Sequence, residues 1–214
     1  MRRALLLAAL ISLAACASPT PTPKPACPTK GPTAGDAQAM LASAGRAVVD
    51  TNKGSFTIDL YGEQAPLATA NFVALARCGF YDGISFHRIL PGFVAQAGDP
   101  QTRGNRGDFQ GLGGGGPGYE FEIEPPADGL HYDPYVVAMA NDQRTNGSQF
   151  FIDLADLNGP LERLYTIFGK VIDGTDVVDT IGKVPTNGPH GVPLDPVIIN
   201  SIRIEASPTA SPSV

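Results

Sequence analysis

Glycine or proline breaks nearly every stretch of this chain. Its 214 residues include 25 Gly and 20 Pro, which argues against long helices and favours short elements joined by turns. Between the breaks, polar and apolar residues alternate. In residues 55–61, Phe56, Ile58 and Leu60 point one way and Thr57 and Asp59 the other, the period-two pattern of a half-buried strand. Residues 86–89, 93–96, 135–140, 149–153, 165–171 and 196–204 are further strand candidates, rich in branched and aromatic side chains. Two short helices interrupt them. One begins at Pro66, with Leu67, Ala70, Val73 and Ala74 as its stripe, and ends before Gly79; the other opens at Gly174 with Val177, Val178 and Ile181. Many strands and two short helices predict an all-β fold, a closed antiparallel barrel whose ends the helices cover.

The first residues read as an address. Arg2 and Arg3 precede an apolar run from Ala4 to Leu13, too short to span a bilayer but built like a secretory signal. Leu13-Ala14-Ala15-Cys16 resembles the lipobox of bacterial lipoproteins. Residues 1–15 are therefore expected to be a signal peptide, with Cys16 lipidated and anchoring the protein to the cell membrane outside the cytoplasm. In a host with two membranes, Ala17 in place of Asp favours the outer one. Residues 16–50 are read as the lipidated Cys and a tether rich in Pro, Thr and Ala. Pro19, Pro21, Pro23, Pro25, Pro28 and Pro32 keep its first part extended, and residues 36–50 are Ala-rich, helical or loose. The compact domain is then 51–205, and 206–214 a disordered tail. Of three cysteines, Cys27 and Cys78 remain after lipidation. A disulfide is permitted outside the cytosol, and the sequence leaves open whether they pair.

Several chemistries find no support. The 15 Lys+Arg against 21 Asp+Glu give a formal charge of -6, with no basic cluster, so a nucleic-acid partner is not expected. Residues 111–118 (GLGGGGPG) lack the Gly-Lys-Ser/Thr that completes a phosphate loop. Asp153, Asp156, Asn158 and Glu162 are crowded acids without calcium-loop spacing, and His87, His131 and His190 stand apart. Asn146-Gly147-Ser148 is a glycosylation sequon of only three letters. No heptad or other dimerisation element is visible, so a monomer is expected.

Three blocks point elsewhere. Phe86-His87-Arg88-Ile89-Leu90-Pro91-Gly92-Phe93-Val94-Ala95-Gln96-Ala97-Gly98-Asp99 closely resembles the signature of the cyclophilin-type peptidyl-prolyl cis/trans isomerases. Met139-Ala140-Asn141 with Thr145-Asn146-Gly147-Ser148-Gln149-Phe150-Phe151-Ile152, and Phe168-Gly169-Lys170-Val171 with Asp173-Gly174, follow in the family's order. The resemblance covers nearly all of 54–204. It implies an eight-stranded antiparallel β-barrel capped by two helices.

It also implies a reaction. Rotation about an Xaa-Pro bond must overcome a barrier of about 18–20 kcal/mol set by amide resonance. No bond is made or broken, so the resemblance implies no nucleophile, metal or cofactor, only a site that binds the twisted amide better than the planar one. Arg88 is expected at its centre, donating toward the prolyl nitrogen, whose lone pair is freed only as resonance is lost. About 5–7 kcal/mol of such selectivity corresponds to about four to five decades in rate. By resemblance the catalytic residues are Arg88, Phe93, Gln96, Asn141 and Tyr165. Met139, Phe151 and Leu161 line a proline pocket with Phe93, Val94 stands at its edge, Ala140 lines a neighbouring subsite, and Gln149 orients Arg88.

Three departures stand out. Pro160 occupies the position where many members carry a Trp that helps bind cyclosporin, and the chain has no Trp, so weakened cyclosporin binding is expected. Tyr165 stands for a frequent His and Val94 for a frequent Met. The expected function is proline isomerisation in unfolded exported proteins, assisting their folding. The alternative is a non-catalytic lipoprotein that binds proline peptides or acts as a scaffold.

Overall fold

The computed structural model describes residues 23–104 and 113–206. The expected signal peptide and lipidated Cys16, the expected tether up to residue 22, the 105–112 stretch with the start of the glycine run, and the expected tail beyond residue 206 lie outside the described residues.

In chain order the elements are α1 (Ala34–Leu41), β1 (Arg46–Thr51), β2 (Gly54–Leu60), α2 (Pro66–Arg77), β3 (Ser85–Phe86), β4 (Arg88–Leu90), β5 (Val94–Ala97), β6 (Phe121–Glu122), β7 (Val136–Asn141), β8 (Thr145–Asp153), β9 (Ile167–Asp173), α3 (Thr175–Gly182), β10 (Thr186–Asn187), β11 (Val192–Pro193) and β12 (Val197–Glu205). One ten-stranded sheet dominates, running β3-β12-β1-β2-β9-β7-β8-β5-β4, with β6 joined to β8 off that path. Its pairings are antiparallel.

The expected closed eight-stranded barrel with two helices is therefore corrected to a nearly closed barrel of nine strands along the path, with three helices. The reason lies at His87, the single residue between the two ends of the path. Phe86 pairs with Val197 of β12 and Arg88 with Gln96 of β5, while the His87 N–H donates to the Gln96 carbonyl at 3.0 Å. One strand broken at a residue serves both edges and brings the sheet round on itself.

The domain also begins earlier than expected. Residues 46–50, read as tether, are most of β1, whose Ala47, Val49 and Thr51 point inward while the intervening residues are partly exposed. The third helix, α1, starts with a capping box in which Thr33 and Asp36 bond each other's backbone N–H. Ahead of it, residues 23–33 form a strap held against the end of α2 by a Cys27–Cys78 disulfide, S–S 2.02 Å, and by a Lys24–Asp82 ion pair.

Strand alternation sorts the interior into two clusters. The larger fills the barrel: Phe72 of α2 lies 5.3 Å from Tyr81, 5.5 Å from Phe150 and 5.1 Å from Phe168 between ring centroids. Helix α2 lacks a side-chain cap; instead the Glu124 carboxylate accepts from the N–H groups of Leu67 and Ala68 at 2.9 and 2.8 Å, which fits the positive end of the helix. The smaller cluster lies on the outer face of β5, β7, β8 and β9 and holds Val94, Val136, Ala138, Phe151 and Ile167, with Tyr132 and Leu157.

Candidate active site

The outer face carries the site because successive strand residues point to opposite sides. On β8, Phe150 and Ile152 face the barrel core and Phe151 the outer cluster; on β5, Ala95 and Ala97 face in and Val94 out. Phe93, Ala140, Leu161 and Tyr165 pack on that outer cluster. Phe151 and Tyr165 meet edge to face, centroids 5.5 Å apart at 82°. The structure thus brings Phe93, Val94, Ala140, Phe151, Leu161 and Tyr165 together in one apolar cluster, the proline slot expected from the resemblance, with Phe93, Ala140, Leu161 and Tyr165 partly exposed.

Met139 is a correction. Expected in the pocket, it is instead fully enclosed in the barrel core, because the outward positions of β7 are Val136, Ala138 and Ala140. Asn146 of the sequon is likewise buried, its amide bonded to Thr166 at 3.1 Å, which rules it out as an exposed acceptor.

Arg88 stands at one side of the slot, half-buried, its guanidinium carbon 5.8 Å from the centre of the Phe93 ring. This is cation–π distance. Burial lowers its pKa, and the nearby phenol of Tyr165 raises it; a guanidinium stays protonated in either case. Its direction is set by a relay. Arg88 donates from one terminal nitrogen to Gln96 Oε1 at 3.3 Å, and Gln96 Nε2 donates to Gln149 Oε1 at 3.0 Å. Gln149 Nε2 in turn donates to the carbonyls of Gly113 and Gly115, both at 2.8 Å. The far side of that glycine segment is held by Asp99, whose carboxylate accepts from the Gly113 and Gly115 N–H groups at 2.7 and 3.2 Å. The relay needs β5 and β8 unusually close: Gly98 has φ +99, and a Cβ there would collide with the Ser148 carbonyl.

Asn141 closes one end. Its amide nitrogen donates to Asn146 Oδ1 at 3.3 Å and the Leu164 carbonyl at 2.9 Å, so the side chain braces the turn that follows. In that turn Asp142 accepts from the backbone N–H groups of Thr145 and Arg144, which hold its pKa down to about 2. Gln96, Ala140, Asn141, Thr145 and Gln149 border an adjoining groove of about 770 Å³, with Glu120 on its rim.

Two supporting residues carry no sign of their role in the sequence. Tyr132 lies between strands, yet its hydroxyl donates to the Tyr165 carbonyl at 2.9 Å and accepts from the Tyr165 N–H at 3.1 Å, fixing that wall; burial pushes its pKa up to about 12. Asp99 was legible as part of a motif but not as the clamp on the glycine segment.

A barrel bearing an oriented arginine beside an outward-facing apolar cluster offers hydrogen-bond donors next to a surface for an apolar ring. Residues 46–204 match the family described as cyclophilin type peptidyl-prolyl cis-trans isomerase/CLD, and the chain belongs to that family. It is an enzyme, a peptidyl-prolyl isomerase acting on proline-containing substrates. It is 43% identical over 179 residues to the peptidyl-prolyl cis-trans isomerase A of Mycobacterium tuberculosis, covering 74% of this chain and 91% of that protein. A peptidyl-prolyl cis-trans isomerase-like 1 of Aspergillus oryzae is 42% identical over 156 residues, 72% of this chain and 92% of that protein. Among solved structures, a cyclophilin type isomerase of Cryptosporidium parvum superposes with a TM-score of 0.66 at 34% identity, covering 77% of this chain and 99% of that one.

Proposed function

We propose that this isomerase works outside the cytoplasm, anchored through a lipidated Cys16, on Xaa-Pro bonds of exported proteins, whose folding it assists. The observation that carries the catalytic part of this reading is Arg88, aimed by Gln96 and Gln149 along the edge of the slot. The prolyl ring enters between Phe93, Val94, Phe151, Leu161 and Tyr165, and the residues before it lie along the groove beside Ala140 and Asn141. As the amide twists, its nitrogen regains a lone pair that the remaining Arg88 N–H groups can meet; the planar amide offers no such acceptor. The gain falls on the transition state alone, and so raises kcat. Slow proline isomerisation, tens to hundreds of seconds uncatalysed, is the step relieved in a client.

Two features support the compartment. The first sixteen residues have a charged start, an apolar run and a small-residue approach to Cys16. The Cys27–Cys78 disulfide belongs to oxidising surroundings, since cytosolic thiols are kept reduced. Pro160 is exposed and supplies no aromatic surface beside Leu161, which is the basis for expecting weak cyclosporin binding.

Turnover of a short Xaa-Pro peptide is the test of the chemistry, with Arg88→Ala expected to lower kcat/KM at least a hundredfold. Equal rates for the two proteins would remove Arg88 from the mechanism. A protein that binds the peptide without accelerating exchange would be a scaffold. For the address, Cys16→Ala should move the protein from the membrane fraction to the soluble one; membrane retention of that variant would overturn lipid anchoring.

A further inference from the structure

Strand β8 ends on a carboxylate at a position where its surroundings are apolar. Asp153 is 0% exposed, and neither carboxylate oxygen has a hydrogen-bond partner among the described residues. Alternation puts it on the face of Phe151, two residues earlier, and the ladder sets it directly opposite Val94 of β5. Directly opposed residues of an antiparallel pair project side by side on one face. The backbone fixes the place: the Asp153 carbonyl accepts from the Tyr135 N–H at 2.8 Å, and the Leu154 N–H donates to the Phe93 carbonyl at 2.8 Å. A carboxyl group thus lies beside Val94 and on the same face as Phe151, both members of the outer apolar cluster.

An ionised carboxylate without a partner is not stable in such a place, and the group stays neutral by holding its proton. Burial, with the negative charge of Asp133 adding to it, raises its pKa to about 8. From the segment before β7, Tyr132 and Asp133 are the titratable groups that bear on it. Opposite it on β5, and at the start of β7, the strands present Val94 and Val136, which carry no charge. Charged groups on the other adjoining segments are turned to their own partners: Asp156 to Asn158, Arg163 to the carbonyls of Leu130, Pro126 and Ala127, and Asp179 to the Tyr135 hydroxyl. None of these neutralises an Asp153 carboxylate.

We propose that Asp153 is a positioning residue for proline turnover: as an enclosed neutral acid it lets Val94 and its neighbours on the outer face pack against the prolyl ring, and its ionisation draws water in beside them and switches turnover off. This rests on the isomerase reading of the slot above. The sign follows from the protonated form being the competent one, so activity is full below the transition and falls as pH rises through it. Arg88 keeps its charge across the range, and Tyr132 ionises far above it.

The test is the pH profile of kcat/KM between 6.5 and 9.5, measured by NMR exchange on a terminally blocked Xaa-Pro peptide with no ionisable side chain. For the unmodified protein the value should fall by roughly tenfold between pH 7 and pH 9, as expected for loss of one essential proton. The profile of Asp153→Asn, which keeps shape and removes the proton, should vary by less than about twofold over the same range. An equal fall in Asp153→Asn, or a flat profile for the unmodified protein, overturns the proposal. A second readout needs no variant: the carboxyl carbon of Asp153, followed by NMR, should titrate with its midpoint near pH 8, and ionisation in the ordinary aspartate range overturns the proposal. Absence of turnover already at pH 7 would count against the isomerase reading instead.

Discussion

Replacing Cys27 and Cys78 together with serine removes the staple between the strap and the end of α2. The two residues are 51 apart in sequence. In the chain-entropy treatment, closing a loop of that length restricts the unfolded chain by about 4 kcal/mol at 25 °C. Part of this returns in the folded protein, because residues 23–32 include no helix or strand and regain freedom once released. The Lys24–Asp82 pair, which also ties the strap, is partly exposed and contributes little. A net loss of about 2–4 kcal/mol is therefore expected. For a domain of this size each kcal/mol lowers Tm by about 2–4 °C, so the double serine variant should melt about 5–15 °C below the oxidised protein. Differential scanning calorimetry of the protein, with and without reductant, measures both routes to the same open state. Reductant should shift the parent and leave the variant unmoved. A shift under about 2 °C would refute the reasoning, since it would show the strap leaving before the barrel melts.

Two further outcomes follow from the site. Met139→Ala should cost about 2–5 kcal/mol, as deletion of a buried core side chain does, and lower Tm in a calorimetric scan while KM for a prolyl peptide stays within about twofold; a raised KM at unchanged Tm would return Met139 to the slot. Pro160→Trp adds an aromatic surface beside Leu161 and should tighten cyclosporin binding by about tenfold, roughly 1.4 kcal/mol, by titration calorimetry; unchanged affinity would show that a ring at this position contributes nothing.

What the sequence discloses depends on how local the cause is. The alternation in 55–61 is complete within a few residues, and β2 forms there. The helix from Pro66 is also where its stripe places it, because Pro66 and Gly79 mark both ends. The sequence Val136-Val137-Ala138-Met139-Ala140 has no polar member to show which side faces out, so the direction of Met139 is set only once Phe150 and Phe151 are paired across from it. Strand β1 was hidden for a related reason. Its residues follow an Ala-rich stretch with only Ser43 and Gly45 between, and they become a strand because β2 and β12 flank them. The slot residues were readable through the family blocks rather than through any pattern of their own. The pairing of Cys27 with Cys78 and the isolation of Asp153 are long-range facts. In one dimension Asp153 is one acid in a crowd; in three it is alone.

The break at His87 ties the enzyme to its own last strand. Ser85 and Phe86 find their partners in Ile198 and Val197, close to the carboxyl end of the chain, while Arg88 begins the neighbouring half-strand. Until β12 is in place, Ser85 and Phe86 have no partners and the half-strand that carries Arg88 is held by β5 alone. An enzyme that shortens slow folding steps thus closes its own barrel through a contact between residues more than a hundred positions apart.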